Sequence, residues 1–165
     1  MTKMRRRMTL MILAAVTAMQ ADAQGGAAPP RRSVLFVCEH GTVKSVLAKV
    51  LFEQYAAEIG LDVRAVSRGT RPDSIVPAWM QSGLATDRVS LGAWRPQALA
   101  PADLRSASYV VSFDVPTSAT GGTRAPRVQW DSLPSVSANY ASGREAIRAR
   151  VRWLADSLKR ASAAR

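Results

Sequence analysis

Short apolar runs alternate along this chain with longer segments in which apolar residues recur every three or four positions. The first run, 33–37, is rich in β-branched residues, as expected of a strand buried on both faces. The segment after it has the i, i+3, i+4, i+7, i+8 spacing of an amphipathic helix, with apolar residues at Val43, Val46, Leu47, Val50 and Leu51. We therefore predict a strand, a loop, and a helix over about 44–59 that ends at Gly60.

The same alternation continues to the end of the chain. It predicts further strands at 63–67, 109–113 and 128–130, and helices at 77–84, from 101 onward, and at 143–161. Residues 117–125 are rich in Gly, Thr and Ser and predict a mobile loop. Strands separated by helices indicate right-handed parallel crossovers. The pattern predicts an α/β domain over 33–161, with an open four-stranded parallel sheet and helices on both faces.

The first 23 residues differ from that domain. Lys3 and the arginines at 5–7 precede a short apolar segment at 8–19, and residues 21–23 (Ala-Asp-Ala) offer the small side chains that a signal peptidase recognises. The apolar segment is short for a membrane span. We predict a secretory signal at 1–23, a flexible linker at 24–32, and an exported (periplasmic or secreted) protein with no stable membrane span after cleavage. An uncleaved N-terminal anchor is the alternative.

The chain carries an excess of basic residues overall. It has 23 Lys and Arg against 12 Asp and Glu, a formal net charge of +11. Residues 1–23 hold four of the basic residues and one of the acidic, so a mature chain would carry +8. The charges are scattered and no stacking-aromatic motif or zinc spacing accompanies them, so we expect no nucleic-acid partner. A positive field that attracts phosphate-like anions is the favoured interpretation.

The loop after the first strand contains the only cysteine, Cys38, and the only histidine, His40. A strand–loop–helix unit directs loop N–H groups and the positive helix end at one point, where they favour a bound anion and a thiolate. A buried, inert cysteine is the alternative. One cysteine and one histidine so close together make no closed metal site, and we expect neither metal nor cofactor. Without an orienting partner in view, His40 is expected to stabilise the loop or surface rather than act as a base.

Together these residues form a Cys-X5-Lys-Ser loop, from Cys38 to Lys44 and Ser45. The loop resembles that of the low-molecular-weight protein tyrosine phosphatases and the related cysteine-dependent arsenate reductases, which have Cys-X5-Arg followed by Ser or Thr between a strand and a helix. Other segments resemble the family in the same order and extend the likeness over roughly 34–158: Ser67-Arg68-Gly69-Thr70, then Arg95-Pro96-Gln97, then Ala102-Asp103-Leu104.

The resemblance implies roles for individual residues. Cys38 would be the nucleophile and Ser45 would hydrogen-bond its sulfur. The oxyanion would be bound by the loop that follows, made of Glu39, His40, Gly41, Thr42, Val43 and Lys44. The family's general acid is an aspartate after the fourth strand, for which Asp131 is the candidate and Asp114 the alternative.

Departures from the family pattern bear on turnover. Lys44 replaces an arginine, so a compact point charge stands where the family has a bidentate fork. Gly41 replaces an asparagine and can adopt the same left-handed conformation. The carboxylate of Glu39 would repel an anion unless it points away from the site.

The expected function is hydrolysis of a phosphorylated small molecule or protein, including protein phosphotyrosine, through a cysteinyl-phosphate intermediate. One alternative is a catalytically degenerate protein that binds an oxyanion or a phosphorylated partner. The other is an arsenate reductase that uses an external thiol, because a single cysteine excludes an internal disulfide relay. Four aromatic residues are candidates for substrate-selecting walls: Trp79, Trp94, Trp130 and Tyr140.

Overall fold

The computed structural model describes residues 32–164, and the predictions for the signal and for linker residues 24–31 lie outside that range. The strands are β1 (Ser33–Cys38), β2 (Arg64–Gly69), β3 (Tyr109–Ser112) and β4 (Arg127–Gln129). The helices are α1 (Lys44–Glu58), α2 (Ala78–Thr86), α3 (Pro101–Ser106) and α4 (Tyr140–Ala163). None of these helices is both long and apolar enough to cross a membrane.

All four strands run parallel, in the spatial order β2-β1-β3-β4. The α/β fold with an open four-stranded parallel sheet is therefore confirmed. Cys38 lies in register with Gly69, so the carboxyl ends of β1 and β2 meet at one edge of the sheet. In open α/β sheets this is the edge at which ligands bind.

Both faces of the sheet are covered, because successive side chains of β1 point to opposite sides. Phe36 packs on one side with Phe52 of α1, Phe113 and Trp130, and this larger cluster includes the buried face of α4. Leu35 and Val37 face the other side and pack against Leu104 of α3. The prediction of helices on both faces is confirmed.

The boundaries of several elements differ from the predicted ones. Helix α4 begins at Tyr140 rather than at residue 143, because the side chain of Asn139 accepts the N–H of Ser142 and caps the helix. Trp130 follows β4 instead of ending it, and is buried against the aromatic cluster. The predicted loop at 117–125 contains a short 3-10 turn, Thr117–Thr120, whose last residue is buried. Gly60 ends α1 with a φ of 64°, as predicted.

Candidate active site

The sulfur of Cys38 lies at the carboxyl end of β1 and is held by two neighbouring groups. The N–H of Gly41 donates to Sγ at 3.2 Å, and Ser45 Oγ lies 3.0 Å from it. Ser67 in β2 donates to Ser45 Oγ at 2.9 Å, so the Ser45 hydroxyl proton is free to be donated to the sulfur. Both serines are buried. The contact predicted between Ser45 and the sulfur is therefore present in the structure, and Ser67 extends it.

The loop after Cys38 keeps its shape through a close approach of two glycines. Gly41 has a φ of 65°, the left-handed conformation that the sequence allowed for. A Cβ on Gly41 would lie 2.9 Å from the N of Gly69, and a Cβ on Gly69 would lie 2.9 Å from the N of Gly41. Only glycine at both positions lets the loop rest on the end of β2.

Backbone hydrogen bonds tie the start of this loop to the segment after β2. Thr70 N–H donates to the carbonyl of Cys38 at 3.0 Å, Arg71 N–H to that of Glu39 at 2.8 Å, and Asp73 N–H to that of His40 at 3.0 Å. Three carbonyl oxygens are thus engaged away from the sulfur. The N–H of Gly41 is engaged by the sulfur, and the other loop N–H groups stay available for an anion, as does the start of α1, which has no side-chain cap among the described residues.

The ammonium group of Lys44 pairs with the carboxylate of Asp114, just after β3. Asp114 has a φ of 49°, and its N–H donates to Asp131 Oδ1 at 2.8 Å. Lys44, Asp114 and Asp131 are therefore linked in series: the side chain of Asp114 contacts Lys44, and its backbone contacts Asp131. The carboxylate of Asp131 stabilises the strained backbone conformation of Asp114. The prediction of a general acid among these two aspartates remains a prediction.

The carboxylate of Glu39 pairs with the guanidinium of Arg71, which is mostly exposed. The hydrogen bond and positive charge of Arg71 lower the pKa of the Glu39 carboxyl. Because the charge of Glu39 is compensated in this way, the carboxylate repels an anion at Cys38 less than the sequence alone implied.

His40 has an orienting carboxylate, contrary to the expectation from the sequence. Its Nδ1 lies 3.2 Å from Asp73 Oδ1, and the other oxygen of Asp73 accepts the Thr42 hydroxyl at 3.1 Å. The sequence did not reveal Asp73 and Arg71 as partners of the loop. Both lie after β2, more than thirty residues from the loop, and no local pattern marks them as its partners.

A cavity of about 230 Å³ opens beside Cys38. Its walls are formed by loop residues Cys38, Glu39, His40, Val43 and Lys44, by Phe113 and Asp114, and by 135–137. Asp131 does not line the cavity, and neither does any of the four aromatic candidates. A second cavity, of about 470 Å³, shares Glu39 and Asp114 with the first and extends toward Arg71 and Pro116. Within residues 32–164, no group of three or more His, Cys, Asp or Glu side chains is arranged to hold a metal ion.

Comparison with known proteins gives a family match over the first part of the domain. The family model described as low molecular weight phosphotyrosine protein phosphatase matches residues 33–121. No curated protein sequence matches the chain significantly.

Solved structures share the fold at low sequence identity. A thioredoxin-dependent arsenate reductase from Corynebacterium glutamicum matches with a TM-score of 0.67 and 24% identity, over 83% of this chain and 66% of its own. YfkJ from Bacillus subtilis matches with a TM-score of 0.70 and 19% identity, over 81% of this chain and 98% of its own. A low molecular weight protein tyrosine phosphatase from Bacillus subtilis matches with a TM-score of 0.65 and 20% identity, over 78% and 97%.

Proposed function

Since the chain belongs to the low molecular weight phosphotyrosine protein phosphatase family, we propose that it hydrolyses phosphomonoesters through a cysteinyl-phosphate intermediate. The observation that carries this proposal is the setting of the Cys38 sulfur. It accepts from the Gly41 N–H, lies beside the Ser45 hydroxyl, and faces a cavity next to an uncapped helix start. Such a sulfur is suited to act as a thiolate nucleophile on a bound phosphate.

In the first chemical step, the Cys38 thiolate attacks phosphorus and the bond to the leaving oxygen breaks. In the second, water attacks the cysteinyl phosphate and releases inorganic phosphate and the thiolate. The loop N–H groups and Lys44 stabilise the phosphoryl oxygens as charge develops on them. Lys44 must exchange its ion pair with Asp114 for the phosphate during binding.

The cavity also bears on the substrate. Val43, Phe113 and Val136 give it apolar walls, which suit the aryl or alkyl part of an ester. The adjoining cavity toward Arg71 leaves room for a larger molecule, so both a phosphorylated small molecule and a phosphorylated protein side chain, including phosphotyrosine, are proposed substrates.

A second function, oxyanion or phospho-partner binding without turnover, is favoured by the ion pair between Lys44 and Asp114. A lysine already paired with a carboxylate, in place of an arginine fork, stabilises the transition state less. Ground-state binding by the loop N–H groups would survive this change.

Hydrolysis of p-nitrophenyl phosphate by the full chain under reducing conditions separates the two functions. We expect measurable turnover by the wild type, none by Cys38→Ser, and a rate about tenfold higher for Lys44→Arg, since a bidentate fork is worth on the order of 1 kcal/mol more than a point charge. Turnover that persists in Cys38→Ser would contradict the phosphatase proposal. Activity gained only in Lys44→Arg would support the binding function.

We also propose that the protein acts outside the cytoplasm, because residues 1–23 have the basic, apolar and small-residue parts of a secretory signal. The intact mass of the exported protein should correspond to a chain that begins near Gln24. Recovery of unprocessed protein that retains Met1 would contradict this proposal.

A further inference from the structure

We propose that the amino edge of the domain, the edge at which the four strands begin, docks on the surface of an anionic lipid bilayer. The docking surface consists of an exposed stripe of α4, formed by Arg150, Trp153 and Arg160, and of the cavity beside this stripe. It lies outside the candidate active site, so the proposal does not depend on the chemistry at Cys38.

The cavity lies where the amino ends of the strands meet the C-terminal half of α4, and has a volume of about 470 Å³. None of the described residues that line it is acidic, and most are apolar, including Val34, Val63, Tyr109, Pro126, Leu154 and Leu158. Its cationic member is Arg32, which donates to Ser162 Oγ at 2.6 Å near the end of α4. A groove of this size and lining is suited to the methylene segments of a lipid.

The stripe of α4 places an aromatic ring between two cations. Trp153 lines the cavity and is nevertheless 59% exposed. Arg150 precedes it by three positions and Arg160 follows it by seven, a spacing that puts all three on one face of the helix. Both arginines are exposed. At a bilayer surface, a Trp ring lies at the level of the headgroups and basic side chains are attracted to anionic lipid. The stripe therefore has the composition of a bilayer-binding surface.

The distribution of charge favours the same partner. Basic residues at the amino edge and on the stripe outnumber the acidic ones: the basic set is Arg32, Arg64, Arg127, Arg150, Lys159 and Arg160, and the acidic set is Glu58, Asp62 and Asp156. At the opposite edge, carboxylates gather in and around the candidate active site: Glu39, Asp73, Asp114 and Asp131. A soluble polyanion would satisfy the arginines but would leave the apolar cavity without a partner. An anionic bilayer satisfies both.

Docking at this edge leaves the candidate active site accessible. Strand β1 runs from Ser33 at the amino edge to Cys38 at the other, and its six residues span about 17 Å at the usual rise of a strand. The docked domain therefore presents Cys38 to solution. Arg32, the first described residue, also lies at the amino edge, so the residues before it join the domain on the side that faces the bilayer.

The test is co-sedimentation with vesicles of phosphatidylglycerol and, as the counterpart without net charge, of phosphatidylcholine. The protein is used as recovered from the expressing cells, so that every variant has the same N-terminus. We expect the wild type to bind the anionic vesicles with a blue shift of its tryptophan fluorescence, and not to bind the others. The double variant Arg150→Gln with Arg160→Gln should bind at least about tenfold more weakly, because two charges that attract the surface are removed. Trp153→Ser should also bind more weakly and lose the blue shift.

Matched controls remove the same chemistry elsewhere on the surface. Arg88→Gln combined with Arg95→Gln removes the same charge at two exposed positions away from the stripe, and Trp79→Ser removes a second exposed indole. Both should bind as the wild type does. Alkylation of Cys38 by iodoacetamide should proceed at the same rate with and without vesicles, because the docked domain presents the sulfur to solution.

Equal binding by the wild type and both α4 variants would mean that other residues, such as the apolar segment 8–19, carry the interaction, and would overturn the proposal. Absence of binding to the anionic vesicles would overturn it as well, and retention on heparin in that case would identify a soluble polyanion as the partner. Protection of Cys38 by the vesicles would place the opposite edge on the lipid, which contradicts docking through the amino edge.

Discussion

The hydroxyl of Ser45 links the nucleophile to the interior of the protein. It lies 3.0 Å from the sulfur of Cys38 and accepts from Ser67 at 2.9 Å. Because Ser67 supplies the proton on one side, Ser45 is set to donate on the other. The Ser45 hydroxyl is thus the buried side-chain group within hydrogen-bond distance of the nucleophilic sulfur.

We therefore expect Ser45→Ala to slow alkylation of Cys38 by iodoacetamide at neutral pH about tenfold, because the sulfur loses a side-chain hydrogen bond worth roughly 1.5 kcal/mol. Ser67→Ala is the matched control, since it removes only the second link and should slow the reaction less. The single cysteine makes the intact-mass measurement unambiguous. Alkylation of Ser45→Ala at the wild-type rate would show that the contact does not influence the sulfur.

The sequence pointed to the site residues within the loop and to Asp114 after β3, which lines the cavity, but it missed Asp73 and Arg71. Cys38, Gly41 and Ser45 lie on a strand–loop–helix unit whose geometry follows from local periodicity. Asp73 and Arg71 reach the loop only because β2 pairs in parallel with β1 and brings the following segment alongside. The pairing of Lys44 with Asp114 likewise depends on β3 lying on the other side of β1.

At the level of elements, α4 is attached to the end of α2 through one carboxylate. Asp87 is the C-cap residue of α2. Its carboxylate accepts hydrogen bonds from the hydroxyl of Tyr140 at 2.9 Å and from Arg144 Nε at 2.6 Å. Its side chain is only 6% exposed. Burial and the bond to Asp87 raise the pKa of the Tyr140 hydroxyl, which therefore remains a donor at neutral pH.

Replacing Asp87 by Ala should lower the free energy of unfolding by about 3 kcal/mol, because it leaves a partly buried guanidinium and a hydroxyl without their shared acceptor. Tyr140→Phe removes one hydrogen bond and should cost about 1 kcal/mol. Urea unfolding with an unchanged slope measures both. Equal effects of the two variants would mean that the arginine contributes nothing to the attachment.

The contact between α4 and α2 also explains why the sequence predicted the start of α4 three residues too late. The apolar stripe of Ile147, Val151 and Leu154 was visible in the sequence and is buried against α1 and the sheet. The first turn of α4 has no such stripe. It is fixed by the Asn139 cap and by contacts of Tyr140 with α2, and neither follows from helical periodicity.

For the molecule as a whole, the electrostatic field at the site has two sources. The protein has a net positive charge, and several carboxylates lie close to the site. The net charge is +11, and +8 without residues 1–23. Around the cavity, Glu39 and Asp114 are each paired with a cation, which reduces their repulsion of an approaching anion. Asp73 lies beside His40. The net charge that acts on an approaching anion is therefore positive. Exposed arginines along α4, such as Arg150, Arg152 and Arg160, contribute to it.

This balance predicts that inorganic phosphate binds more weakly as salt is added. Between ionic strengths of about 0.01 M and 1 M the Debye length falls from about 30 Å to about 3 Å, so distant positive charges stop contributing. Protection of Cys38 by phosphate against iodoacetamide, a neutral reagent, measures the affinity without requiring turnover. We expect at least a severalfold loss of affinity over this range, and a smaller loss in sodium chloride for a double variant with Arg150→Gln and Arg160→Gln. Tighter binding at high salt would mean that the carboxylates Glu39, Asp73 and Asp114 dominate the field at the sulfur, since screening would then relieve repulsion rather than attraction.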